Sequence, residues 1–83
     1  MIIGVAVIQK HIMICLPKPN RHYHCIKYAI KTLGLTPPIS SKSGFYLEDG
    51  TFLDRKQALI YARENNQLIN KDAKHQLYSE DIW

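Results

Sequence analysis

The sequence predicts an α+β domain: an antiparallel sheet of four to five strands with two helices, ordered ββαββα, and a docked C-terminal tail. Three observations predict it. The stretch Gly44 to Gln67, GFYLEDGTFLDRKQALIYARENNQ, reads as strand, tight turn, strand and helix, with turn, cap and apolar pattern in agreement. The first third of the chain repeats that order as a second hairpin followed by a helix. A length of 83 residues leaves room for one domain, 1–83, with a modest core.

In the central stretch, Asp49-Gly50 suits a two-residue type I′ turn, because both residues tolerate positive φ. That turn would pair Glu48 with Thr51 and Leu47 with Phe52. Asp54 then ends the strand and caps a helix, with Gln57 reaching back in an Asp-x-x-Gln box. Ala58, Leu59, Ala62 and Tyr61 make its inward stripe, and Asn65-Asn66 its stop.

Ile2 to Ile8 and Ile12 to Leu16 form the other hairpin around Gln9-Lys10-His11. Ile3, Val5 and Val7 share one face of the first strand; Gly4, Ala6 and Ile8 share the other. Both faces are apolar, which places this strand centrally or at a subunit interface. Pro17-Lys18-Pro19 breaks the second strand. Asn20 is read as the N-cap of a helix from Arg21 to Leu33, with Gly34 beyond its end. Thr36 to Ser43 is read as a loop, extended by its prolines. Leu68-Ile69 suits a short strand, and Asn70 to Gln76 irregular chain. The tail, Leu77 to Trp83, carries too much apolar surface to stay in water, so it should dock on the sheet or on a partner.

Composition narrows the function classes. The hydrophobic fraction of 46% fits a folded protein, and no apolar run is long enough to span a bilayer. The start lacks a basic leader and a cleavage site, so the expected address is cytoplasm. Eleven Lys and Arg against seven Asp and Glu give a formal charge of +4, which favours anionic partners. The charges are dispersed, so duplex nucleic acid is not the expected partner. Cys15 and Cys25 read as free thiols. Together with His11 and His22 they lack the spacing of a zinc site, and no metal or cofactor is expected.

The cluster Arg21-His22-Tyr23-His24-Cys25 offers an anion site at a helix start, with Lys18 beside it; solvated basic residues and a packed His22 are the alternative. Phe45, Tyr46, Phe52 and Tyr78, taken singly, read as core, although a nucleobase can stack on one at a pocket rim. Paired acids would have to use Asp54, already engaged as a cap, with Glu80 or Asp81. A Cys25–His pair lacks an orienting group. No nucleophile elbow or phosphate-cradling glycine loop is present, so no enzyme is expected.

The block G-F, a short turn, G-x-F-x-D-R-x-x-A and a helix, followed by Leu77-Tyr78-Ser79-Glu80-Asp81, resembles the core of small phage proteins, the Thoeris anti-defence sponges of the first described type. Arg21-His22 also resembles an Arg-His at a helix start there. The match spans about half the chain and departs at Asn66, where that pattern has Gly, and at Ser43, where it has Gln. The resemblance implies a phage protein in the host cytoplasm that sequesters a cyclic ADP-ribose or cyclic nucleotide immune signal without cleaving it. On that reading Lys18, Arg21, His22 and Arg55 hold phosphates, and Phe45 or Tyr78 stacks the base. Asp54, Gln67, Ser79, Glu80 or Asp81 reads ribose hydroxyls. A homo-oligomer is expected, from the apolar first strand and the tail. The alternatives are an inhibitor that binds a host defence enzyme or nuclease, and a small cyclic-nucleotide hydrolase.

Overall fold

The computed structural model of the protein describes residues 1–37 and 42–83. Strand β1 (Ile2–Gln9) runs between β2 (Ile12–Pro17) and β3 (Lys42–Leu47), and β4 (Phe52–Asp54) flanks β3. The order is β2-β1-β3-β4 and every pairing is antiparallel. Helix α1 (His22–Lys31) packs on β1 and β2, and α2 (Arg55–Glu64) on β3 and β4. Both helices join one core with Val5, Val7, Ile14 and Phe45, so they cover the same face of the sheet. This is the expected α+β arrangement, with four strands.

Beta-strand side chains alternate between faces, and the register assigns them. Val5 lies opposite Phe45 and Leu16, and Val7 opposite Ile14, all toward the helices. Gly4 lies opposite Tyr46 and Ala6 opposite Gly44 and Cys15, on the other face. An irregularity between Ile2 and Gly4 returns Ile2 to the core, 1% exposed, instead of leaving it on the Gly4 face. The first strand is central in the sheet, with Val5 and Val7 under the helices and Gly4, on the other face, lying beneath the Tyr46 ring.

Several local expectations are corrected. The β3–β4 hairpin does not close with a two-residue type I′ turn. Gly50 N–H donates to Leu47 O (2.9 Å) and Leu47 N–H to Thr51 O (3.0 Å), which closes a three-residue loop. Gly50 alone in that loop takes positive φ, +88°. Asp49 stays at negative φ and its carboxylate accepts from Thr51 N–H (2.9 Å). Phe52 therefore pairs with Tyr46, not Leu47. Helix α1 starts one residue late: Arg21 is the N-cap, and Asn20 instead donates its amide to Pro17 O (2.7 Å). His24 Nδ1 accepts from Arg21 N–H (2.8 Å), tying off the first turn. The helix stops at Lys31, and Gly34 takes φ +71° in the turn beyond it.

Helix α2 has both bonds of its expected box: Gln57 N–H to Asp54 Oδ1 (2.8 Å) and Asp54 N–H to Gln57 Oε1 (3.0 Å). Asn66 takes φ +56°, and Gln67 N–H donates to Ala62 O (2.8 Å), closing the helix as a Schellman motif. The expected loop over 36–43 lies partly outside the described residues, and its last two residues, Lys42 and Ser43, belong to β3. Leu68-Ile69 is not a strand; Ile69 and Asn70 N–H both donate to Asp81 O. The tail docks on its own chain. Leu77 is fully buried, Ile82 nearly so, and a 3₁₀ turn spans Ser79–Asp81.

Candidate functional site

The tail brings the starts of both helices to one cleft. Arg21 caps α1, His22 opens it, and Arg55 is the first residue of α2. These three, with Tyr23, Tyr78, Ser79 and Glu80, line an open cavity of about 490 Å³. Helix α1 has no acidic residue at its cap or in its first turn, so its positive dipole end is not neutralised by its own side chains, whereas the Asp54 carboxylate caps α2.

The arginines are held in place by the tail. Arg21 donates from Nη1 to Ser79 Oγ (2.9 Å) and from Nη2 to Trp83 O (2.9 Å). Arg55 Nη1 donates to Leu77 O (2.8 Å), while its own carbonyl accepts from Leu77 N–H (2.9 Å). The Arg55 guanidinium lies 5.0 Å from the centroid of the Tyr78 ring, in cation–π range. A guanidinium carries five N–H donors, so each arginine keeps donors free for a ligand. Fixing these long side chains beforehand lowers the ordering cost of binding.

His22 plays a different part from the one expected. Its Nε2 lies 2.7 Å from Gly44 O, and a carbonyl only accepts, so Nε2 carries the hydrogen. Its ring also meets Phe45 edge to face at 5.0 Å. Burial pushes the His22 pKa below its ordinary value; the hydrogen bond to Gly44 O opposes this in part, Arg55 lowers it further and Glu80 raises it least. Neutral His22 offers Nδ1 as an acceptor, suited to an amine or hydroxyl and not to a phosphate.

The remaining expected residues separate by role. Tyr78, Ser79 and Glu80 line the cleft; Lys18 is exposed and is not part of its wall. Phe45 is fully buried in the core, so no ligand can stack on it. Asp54 is engaged as the α2 cap and borders a second depression, about 310 Å³, whose wall also includes Arg55. Gln67 clamps the backbone of β1: its Oε1 accepts from Ile2 N–H (2.8 Å) and its Nε2 donates to Ile2 O (3.0 Å). Asp81 is buried and accepts from Tyr78 N–H (2.9 Å) and Asn70 Nδ2 (3.0 Å). Asp54, Gln67 and Asp81 are thus committed to the fold. Tyr23 was not among the expected binding residues. Its signal was an aromatic side chain in the first turn of a polar helix start, and it is 64% exposed.

Cys25 is fully buried, and burial pushes its thiol up to about 11. Among the described residues, no three His, Cys, Asp or Glu side chains group closely enough to hold a metal ion, and no helix is long and apolar enough to cross a membrane.

A family model described as phage T4 y16D protein matches residues 1–83. No curated protein and no solved structure matches the chain.

Proposed function

The chain belongs to the phage T4 y16D protein family, and from that premise we propose that it captures a small anionic nucleotide without cleaving it. The ligand class is a cyclic nucleotide or cyclic ADP-ribose-type signal, and capture withdraws it from a host defence. The observation that carries this reading is the pair of tail-fixed guanidiniums, Arg21 and Arg55, at one cleft with Tyr78. Guanidinium forks match phosphate oxygens with charge-assisted bonds. Tyr78 or Tyr23 stacks the base, Ser79 and Glu80 meet ribose hydroxyls, and His22 Nδ1 accepts from a ligand donor. The fixed donors suit retention of an intact ligand.

The test is a thermal-shift and calorimetry panel of cyclic ADP-ribose isomers and cyclic di- and trinucleotides. At ligand one hundred times above Kd, folding gains about 2.7 kcal/mol, a rise of about 10–20 °C in Tm for a domain of this size. Arg55→Ala abolishes the rise, and heating the complex returns intact ligand. No shift with any member at high excess refutes the reading; a cleaved product makes the protein a hydrolase.

A second reading, an inhibitor that binds a host protein, is favoured by one feature. Ile12, Met13, Tyr28 and Leu33 are each about two-fifths exposed along a groove between β2 and α1. The tail, now packed on its own chain, is not the anchor. A stable host partner recovered from lysate, with no nucleotide bound, would favour this reading over capture.

A further inference from the structure

We propose that the sheet face opposite the helices binds single-stranded nucleic acid, stacking bases on Tyr46 and Phe52. The site is separate from the cleft and does not depend on the capture reading.

The two rings sit on that face at directly paired positions of β3 and β4. Both helices pack against the other face, and no described element covers this one. Both residues are half-buried, and the reason is the glycines beneath them. A Cβ on Gly44 would meet Phe52 Cζ at 2.6 Å; one on Gly4 would meet a ring carbon of Tyr46. Each ring thus lies down over bare backbone, with its inner side covered and its outer side turned to solvent. Cross-strand neighbours stand about 5 Å apart at Cβ. A pair of rings so spaced offers successive stacking surfaces to an unpaired strand. Duplex bases are already stacked and present no face to such rings.

Charge supplies the second argument. Lys42 shares the face with Tyr46, and its Nζ lies 6.0 Å from the Phe52 ring centroid. Among the described residues it makes no ion pair. A cation beside a stacking ring is placed to meet the phosphate of a stacked nucleotide, and the chain carries +4 overall. A second copy of the chain laid on this face would have to desolvate that ammonium, whereas a polyanion pairs with it.

Fluorescence anisotropy with labelled twelve-nucleotide oligo-dT and oligo-U, and a duplex of equal length, tests this. Binding of the single strands at 50 mM salt, weaker at 200 mM, is expected, with the duplex bound less tightly. Phe52→Leu keeps an apolar side chain and removes the π-face, and should weaken binding about five- to 150-fold. Phe52→Tyr keeps binding, Lys42→Gln lowers the salt dependence, and circular dichroism verifies that each variant is folded. The proposal is overturned by no binding at 100 µM protein, or by equal affinity for folded Phe52→Leu. Binding lost in Arg55→Ala but kept in Phe52→Leu would move the strand to the cleft and also overturn it. So would a dimer in solution that Lys42→Glu dissociates and that excludes oligonucleotide.

Discussion

Replacing Gln67 by alanine removes a two-point clamp on the first strand. The Gln67 amide accepts from Ile2 N–H at 2.8 Å and donates to Ile2 O at 3.0 Å. It behaves there as a short strand would, pairing with backbone just where the irregularity after Ile2 interrupts the regular ladder. Each bond contributes about 1 kcal/mol net, and leaving the half-buried backbone groups without partners adds a desolvation cost, so the loss is about 2–3 kcal/mol. For a domain of this size each kcal/mol shifts Tm by about 4–8 °C, which makes the expected fall about 8–24 °C. Urea denaturation followed by circular dichroism measures it directly. Gln67→Glu adds a sharper test. Its carboxylate can still accept from Ile2 N–H but faces the Ile2 carbonyl with a second acceptor. Once protonated, below about pH 4, it regains a donor. Its deficit relative to wild type at the same pH should therefore shrink in acid. A Gln67→Ala protein within about 0.5 kcal/mol of wild type would refute the reasoning, since surface changes fall in that range. So would a Gln67→Glu deficit that does not respond to pH.

Two further outcomes follow from packing and titration. His22 has its pKa held below the ordinary 6.5, chiefly by burial, so the unfolded chain takes the proton first as pH falls. The stability due to neutral His22 is complete above pH 6.5, declines below it, and levels off under the folded pKa; His22→Gln should flatten that decline in urea titrations between pH 7 and 4.5. Gly44→Ala would press its Cβ on Leu53 O and on Phe52 Cζ, so the β3–β4 pair must part or the ring must lift, at a cost of about 1–3 kcal/mol; a folded Gly44→Ala of wild-type stability would show that the ring does not lie over that glycine.

Helix α2 was legible because its signals are local. Asp54 and Gln57 satisfy each other within one turn, and Asn66 supplies the left-handed residue that ends the helix. The hairpin before it was misread by one residue, and the physical reason is small. The Asp49 carboxylate engages Thr51 N–H, which holds the loop at three residues and leaves positive φ to Gly50 alone. In a strand, a slip of one residue exchanges the faces. Pairing Phe52 with Leu47 would have sent Phe52 into the core beside Phe45. Pairing it with Tyr46 turns it outward. Phe45 and Tyr46 are adjacent, so one of them had to leave the core, and composition alone could not say which other ring would join it.

The cleft was legible in a different way. Arg21, Arg55 and the Tyr78-Ser79-Glu80 run were singled out as residue types and by resemblance, yet nothing local in the sequence brings them together. The tail does. Ser79 Oγ and Trp83 O fix Arg21, Leu77 O fixes Arg55, and Trp83 Nε1 in turn donates to Asn20 O (3.1 Å), beside the start of α1. What holds the tail down is apolar: Leu77 and Ile82 enter the core and the Trp83 ring meets Phe45 edge to face at 6.1 Å. The same contacts that remove these side chains from water set the geometry of two cations more than thirty residues apart in sequence. Residues assigned to ribose from their polarity, Asp54, Gln67 and Asp81, were drawn from the same stretch but spend their hydrogen bonds on caps and backbone. Polarity identified candidates; only the hydrogen-bond partners could separate those that build the cleft from those that build the chain.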